Sequence, residues 1–123
     1  MPRPSSQYVD GYVIPLPKKN LAAYRRLAVL GAKIWHDHGA LEFRECVGDD
    51  LKASMGMPFP KLCKLKSTET VMFSWIVFKS RAHRDAVNAK VMKDPRLAKM
   101  MMAKMPFDTK RMVYGGFKII VQA

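Results

Sequence analysis

The stretch Thr70-Val71-Met72-Phe73-Ser74-Trp75-Ile76-Val77-Phe78 decides the fold, because it is apolar on both sides of an extended strand. Successive strand side chains point to opposite faces. Val71, Phe73, Trp75 and Val77 therefore share one face, and Met72, Ile76 and Phe78 share the other with Ser74 as its only polar break. The chain's own helices can cover one face. A sequence of 123 residues has little left to cover the second, so a second subunit is expected there.

Working outward from this strand, residues 7–16 read as a first strand confined by Pro15 and Pro17. A helix is expected from Asn20 to His38, with Leu21, Tyr24, Ala28, Gly31, Ile34 and Trp35 on its packing face. Gly39 is placed to close it in a left-handed conformation, and His36 and His38 suit the negative end of the helix dipole. A second strand, Leu41 to Gly48, alternates Leu41, Phe43, Glu45 and Val47 against Glu42, Arg44 and Cys46. Residues 49–66 hold Gly56, Pro58 and Pro60 without periodicity and read as a long loop. After the central strand, Ser80 is a suitable N-cap for a helix from Arg81 to Lys93. Asp94-Pro95 then caps and restarts a helix to Lys104. Pro106-Phe107-Asp108 breaks it, and Arg111 to Val121 reads as the last strand. The order β-α-β-β-α-β is that of an α+β, ferredoxin-like domain with a four-stranded antiparallel sheet. Residues 1–6 read as a flexible lead-in and 7–123 as one domain.

Hydrophobic residues make up 49% of the chain and charged residues 26%, ordinary for a globular protein. No apolar run approaches the roughly 20 residues of a membrane span. Cys46 and Cys63 lie far apart and form no CxxC pair, which favours reduced thiols and a cytoplasmic location. The 22 Lys and Arg against 10 Asp and Glu, a formal +12, make anionic partners attractive. These cations are spread along the chain with no block of five, so solvated faces are preferred to a dedicated nucleic-acid site.

Several blocks resemble a known family. They are Tyr8-Val9-Asp10-Gly11-Tyr12-Val13, Glu45-Cys46-Val47-Gly48-Asp49-Asp50, Phe73-Ser74-Trp75-Ile76, Asp94-Pro95-Arg96, and Met105-Pro106-Phe107-Asp108-Thr109-Lys110-Arg111-Met112-Val113-Tyr114-Gly115-Gly116-Phe117. Together they are similar to the signature blocks of the YbaA-like proteins, a bacterial family of unknown function in the dimeric α+β barrel group. The resemblance spans Tyr8 to Ile119 and implies a homodimer whose two sheets form a shared barrel. It implies no established activity. The basic balance, the proline-containing N-terminal extension and Val47, where the family's pattern leads one to expect an aromatic, depart from that pattern.

The barrel group places its ligand cleft between sheet and helices, which makes Asp10, His38, Trp75, Arg111 and Tyr114 the candidate pocket residues. Asp10 could orient a ligand or accept a proton, or could serve structurally by pairing with Arg111 or capping a bulge at Gly11. His36 and His38 are two apart on a helix and cannot chelate one metal, and His83 is on the other helix, so no metal is expected; no cofactor is expected either. Glu45, Asp49 and Asp50 read as a cluster at the end of the second strand, the two aspartates as a turn. Trp35, Trp75 and Tyr114 could wall an aromatic pocket or pack in a core. Gly115-Gly116 suggests a bulge or the close approach of another backbone. Met100, Met101, Met102 and Met105 read as core packing of a short helix or as a docking surface. Catalytic residues are not legible.

The leading functional expectation is a homodimer that binds a small hydrophobic or aromatic molecule, with cofactor-free catalysis as its enzymatic form. A nucleic-acid module with Tyr8, Tyr12, Phe73 and Trp75 as stacking aromatics is the alternative. A purely structural or regulatory dimer is the third.

Overall fold

The computed structural model describes residues 6–123, so residues 1–5 of the expected lead-in lie outside the described residues. Ser6 is tied down, its hydroxyl donating to the Lys79 carbonyl at 3.3 Å. The fold is α+β: four strands, β1 (Tyr8–Pro17), β2 (Glu42–Val47), β3 (Glu69–Phe78) and β4 (Val113–Lys118), and four helices, α1 (Leu21–Asp37), α2 (Phe59–Leu62), α3 (Arg81–Met92) and α4 (Pro95–Met102). The strands form one antiparallel sheet in the order β2-β3-β1-β4. Among the described residues, no helix is long and apolar enough to cross a membrane.

Local chemistry sets the helix ends. Ser80 accepts a hydrogen bond from the His83 amide at 3.0 Å and caps α3, while the Lys79 amide donates to His83 Nδ1 at 2.9 Å. Asp94 caps α4 through the Arg96 amide at 2.8 Å, with Pro95 in its first turn. Gly39 has φ +107° just beyond α1, a conformation that costs glycine little. The Asn20 side chain makes no cap; it donates to the Pro106 carbonyl at 2.8 Å and ties the start of α1 to the break after α4.

The central strand behaves as its alternation requires. Met72, Ser74, Ile76 and Phe78 are buried beneath the helices, packed with residues such as Ile14, Leu16, Ile34, Val87, Val91 and Leu97. On the outer face, Phe73 is 46% exposed and Trp75 half-buried, but Val71 and Val77 are buried, so the bare area is narrower than the whole face. It continues onto β4, where Val113 and Phe117 are 63% and 58% exposed.

Several expectations are corrected. The segment 49–66 contains the short helix α2, whose Phe59 ring packs 6.2 Å from that of Phe73 and covers part of the outer face. Asp49 and Asp50 lie in irregular chain rather than a turn. The last strand starts at Val113 instead of Arg111, because Asp108 caps a 3-10 turn over Thr109–Arg111 and accepts from the Lys110 amide at 3.0 Å. It ends at Lys118 instead of Val121. Gly115 and Gly116 make no bulge, since β1 and β4 pair in unbroken register from Tyr8–Lys118 to Val13–Val113. Side chains, not another backbone, crowd Gly116: a Cβ there would lie 2.7 Å from the Tyr8 ring and 2.9 Å from Arg84. Only part of the methionine group packs inward: Met100 meets the core and Met105 lines a cavity, whereas Met101 and Met102 are exposed.

Candidate functional site

The register of the sheet lays a polar row across its helix-facing side. Glu45 on β2 pairs with Ser74 on β3, Ser74 pairs with Tyr12 on β1, and Tyr12 pairs with Tyr114 on β4. Above the first three residues of the row lies a cavity of about 160 Å³. Apolar side chains dominate its walls, among them Ile14, Trp35, Phe43, Ile76, Phe107 and Met112. Tyr24 reaches down from the buried face of α1, and its hydroxyl donates to Glu45 Oε1 at 2.8 Å.

This setting changes the acid–base character of three groups. Burial raises the Glu45 carboxyl above the usual glutamate range, although hydrogen bonds from Tyr24 and Ser74 pull it part of the way back. Burial, reinforced by the Glu45 charge, pushes the Tyr24 phenol well above its ordinary value. Burial does the same to Tyr12, helped by Asp10, Tyr114 and Glu45. Both phenols therefore stay neutral hydrogen-bond donors. Glu45 makes no ion pair among the described residues, so a carboxyl with an elevated proton affinity faces an apolar space.

The expected pocket residues are not brought together. Asp10 is buried on the helix side and accepts from Arg84 Nη1 at 2.8 Å and from Asn88 at 3.3 Å. The expected structural partner, Arg111, is elsewhere. Its guanidinium binds Glu69 at 2.6 and 3.1 Å and the Cys63 and Lys64 carbonyls at 3.1 and 3.2 Å, pinning the loop after α2. His38 Nε2 lies 2.8 Å from Asp94 Oδ2 and joins the end of α1 to the cap of α4. Trp75 lies on the outer face, where it borders a shallow concavity with Phe73, Val113 and Phe117. Of the five residues, only Tyr114 belongs to the polar row, where it stacks on Tyr12 with ring centroids 5.8 Å apart. The four proposed base-stacking aromatics are also divided. Phe73 and Trp75 face outward, whereas Tyr8 and Tyr12 alternate onto the helix side. They form no common platform.

Glu45, Ser74, Tyr12 and Tyr24 are the residues that the sequence reading passed over as a set. Two signals pointed to them: Glu45 falls among the apolar positions of its strand, and Ser74 interrupts an otherwise apolar face. Placing them side by side required the β2–β3 register.

Comparison with known proteins gives a consistent family. A family model described as "Protein of unknown function (DUF1428)" matches residues 7–109. "Uncharacterized protein YbaA" of Escherichia coli (strain K12) is 42% identical over 115 residues, covering 94% of this chain and 97% of that protein. YbaA of Shigella flexneri matches with the same identity of 42% and the same coverage. The chain therefore belongs to the YbaA-like family of unknown function, described as DUF1428.

Proposed function

We propose that this protein is a homodimer that binds a small hydrophobic or aromatic molecule in the cavity above Glu45, Ser74 and Tyr12, and that Glu45 moves a proton to or from it. The observation that carries this reading is the Glu45–Tyr24 pair: a carboxyl with raised proton affinity, held by a 2.8 Å hydrogen bond at an apolar cavity of about 160 Å³. An apolar cavity of about 150 Å³ holds a benzene-sized ligand, so one ring or a short branched chain is the expected occupant. A carboxyl whose proton affinity is raised by burial is suited to general acid–base work. Tyr24 orients the carboxyl, and Tyr12 is a neutral donor for a carbonyl or hydroxyl oxygen. The reading invokes no cofactor.

The assembly is part of the proposal. The strand order β4-β1-β3-β2, read from the opposite edge, supports a ferredoxin-like topology with helices on one side of the sheet. The exposed Phe73, Val113 and Phe117 support a second copy packed sheet to sheet, giving a dimeric α+β barrel. Free Cys46 and Cys63 support a reducing, cytoplasmic setting.

The test is a thermal-shift series with acetophenone, naphthol and menadione on wild type and on Ala28→Phe, which fills the cavity. Stabilisation of wild type that Ala28→Phe abolishes is expected. The absence of any shift across the series would refute the binding reading. Deuterium exchange at the acetophenone methyl group, followed by NMR, tests the proton-transfer step. Glu45→Gln is expected to slow it by about 10²-fold or more.

A further inference from the structure

Beside the cavity, α1 and α4 frame a groove of about 650 Å³ with Leu27, Leu30 and Met100 among its walls and Arg26, Lys99 and Lys104 along it. No Asp or Glu lines it. Among the described residues those three cations have no acidic partner, whereas Arg96, also on the groove, is already bound by Asp94 and Asp37. Three unneutralised cations beside one apolar groove repel one another, and an anion seated between them relieves that repulsion. Leu27 and Met100 line both the groove and the Glu45 cavity. The partition between the two spaces therefore includes an unbranched methionine, a side chain that readily changes shape.

We propose that the ligand is an amphipathic anion: an apolar ring or short chain that enters the cavity, joined to a carboxylate or phosphate held outside by Arg26, Lys99 and Lys104. This rests on the binding reading above and adds ligand class and orientation to it. The direction follows from the charges. An anionic end is repelled by the Glu45 carboxylate and attracted to the groove, while the cavity's apolar walls favour the uncharged end. The net charge of +12 draws such ligands toward the protein, and added salt weakens the attraction.

Isothermal titration with 4-phenylbutyrate, 4-phenylbutyl phosphate and neutral 4-phenylbutanol tests it. At least one anion is expected to bind about 10-fold or more tightly than the alcohol, a difference of about 1.4 kcal/mol. The better anion identifies the head group. The triple replacement Arg26→Gln, Lys99→Gln, Lys104→Gln is expected to remove that preference and leave alcohol binding unchanged, with folding verified by circular dichroism. If acid, phosphate and alcohol bind equally, or the triple replacement leaves the preference intact, the groove assignment falls while the cavity stands. If none of the probes binds, both readings fall. A uridine oligonucleotide that binds through these cations while the small anions do not would also overturn the proposal.

Discussion

Tyr24 Oη donates to Glu45 Oε1 across 2.8 Å, and this bond joins the buried face of α1 to the inner row of β2. The bond favours the charged carboxylate, yet burial outweighs it, and the net effect is a raised proton affinity. The folded chain therefore holds the Glu45 proton more tightly than the unfolded chain does. Its contribution to stability is fully present below the ordinary glutamate value and is lost as pH rises through the raised folded value. Glu45→Gln keeps an acceptor for Tyr24 and removes the charge. It is expected to melt close to wild type near pH 4 and above it at pH 7 and 8. Thermal unfolding across this range checks the sign, and a pH-independent difference contradicts it.

A second prediction concerns Asp10, whose carboxylate is buried and held by Arg84 and Asn88. Arg84→Met leaves that charge without its cation and is expected to cost about 3 kcal/mol, the scale for breaking one side of a buried pair. Asp10→Leu combined with Arg84→Met is expected to recover much of the loss, because replacing both partners removes the stranded charge. Urea denaturation of wild type, single and double variants measures both quantities. A double variant as unstable as the single one would show that the ion pair is not the source of the loss.

Gly116 gives a third. With a Cβ only 2.7 Å from the Tyr8 ring, Gly116→Ala forces Tyr8 and Arg84 aside, although Arg84 lies over that ring at 4.9 Å. The expected cost is about 1–3 kcal/mol, as for other overpacked sites. Gly115→Ala is the control, since its nearest neighbour would lie at an ordinary 3.8 Å. Equal unfolding midpoints for the two variants would contradict the packing argument.

The proposed sheet-to-sheet dimer gives a fourth. Phe117→Asp combined with Val113→Asp places charge on the outer face of β4 and touches neither the cavity nor the helix-side core. Sedimentation is expected to report twice the 14.0 kDa chain mass for wild type and a single chain for the variant. A wild-type particle that remains monomeric at micromolar concentration would remove the dimer from the reading.

Much of the element order was legible in the residues themselves. Pro15 and Pro17 bounded β1, period-two alternation marked β2, a run apolar on both faces marked β3, Ser80 and Asp94 announced the starts of α3 and α4, and Gly39 marked the end of α1. Each of these signals acts within a few residues, through side-chain direction, orphan amides or allowed backbone angles. The division of β3 into two faces could likewise be read from its own nine residues, Thr70 to Phe78. The start of β4 was harder, because Arg111 is drawn out of the strand by Glu69 and two distant carbonyls.

The candidate site was decided by tertiary structure. Tyr24 and Glu45 are 21 positions apart, and Asp10 and Arg84 are 74 apart. No local pattern specifies either pairing. Strand register puts Glu45 beside Ser74, and the docking of α1 brings Tyr24 over them. The same docking turned His38 toward Asp94, while the strand pleat sent Trp75 to the opposite side of the sheet. Alternation within a strand assigns residues to two faces, but only packing chooses which face meets the helices and which distant side chains converge there.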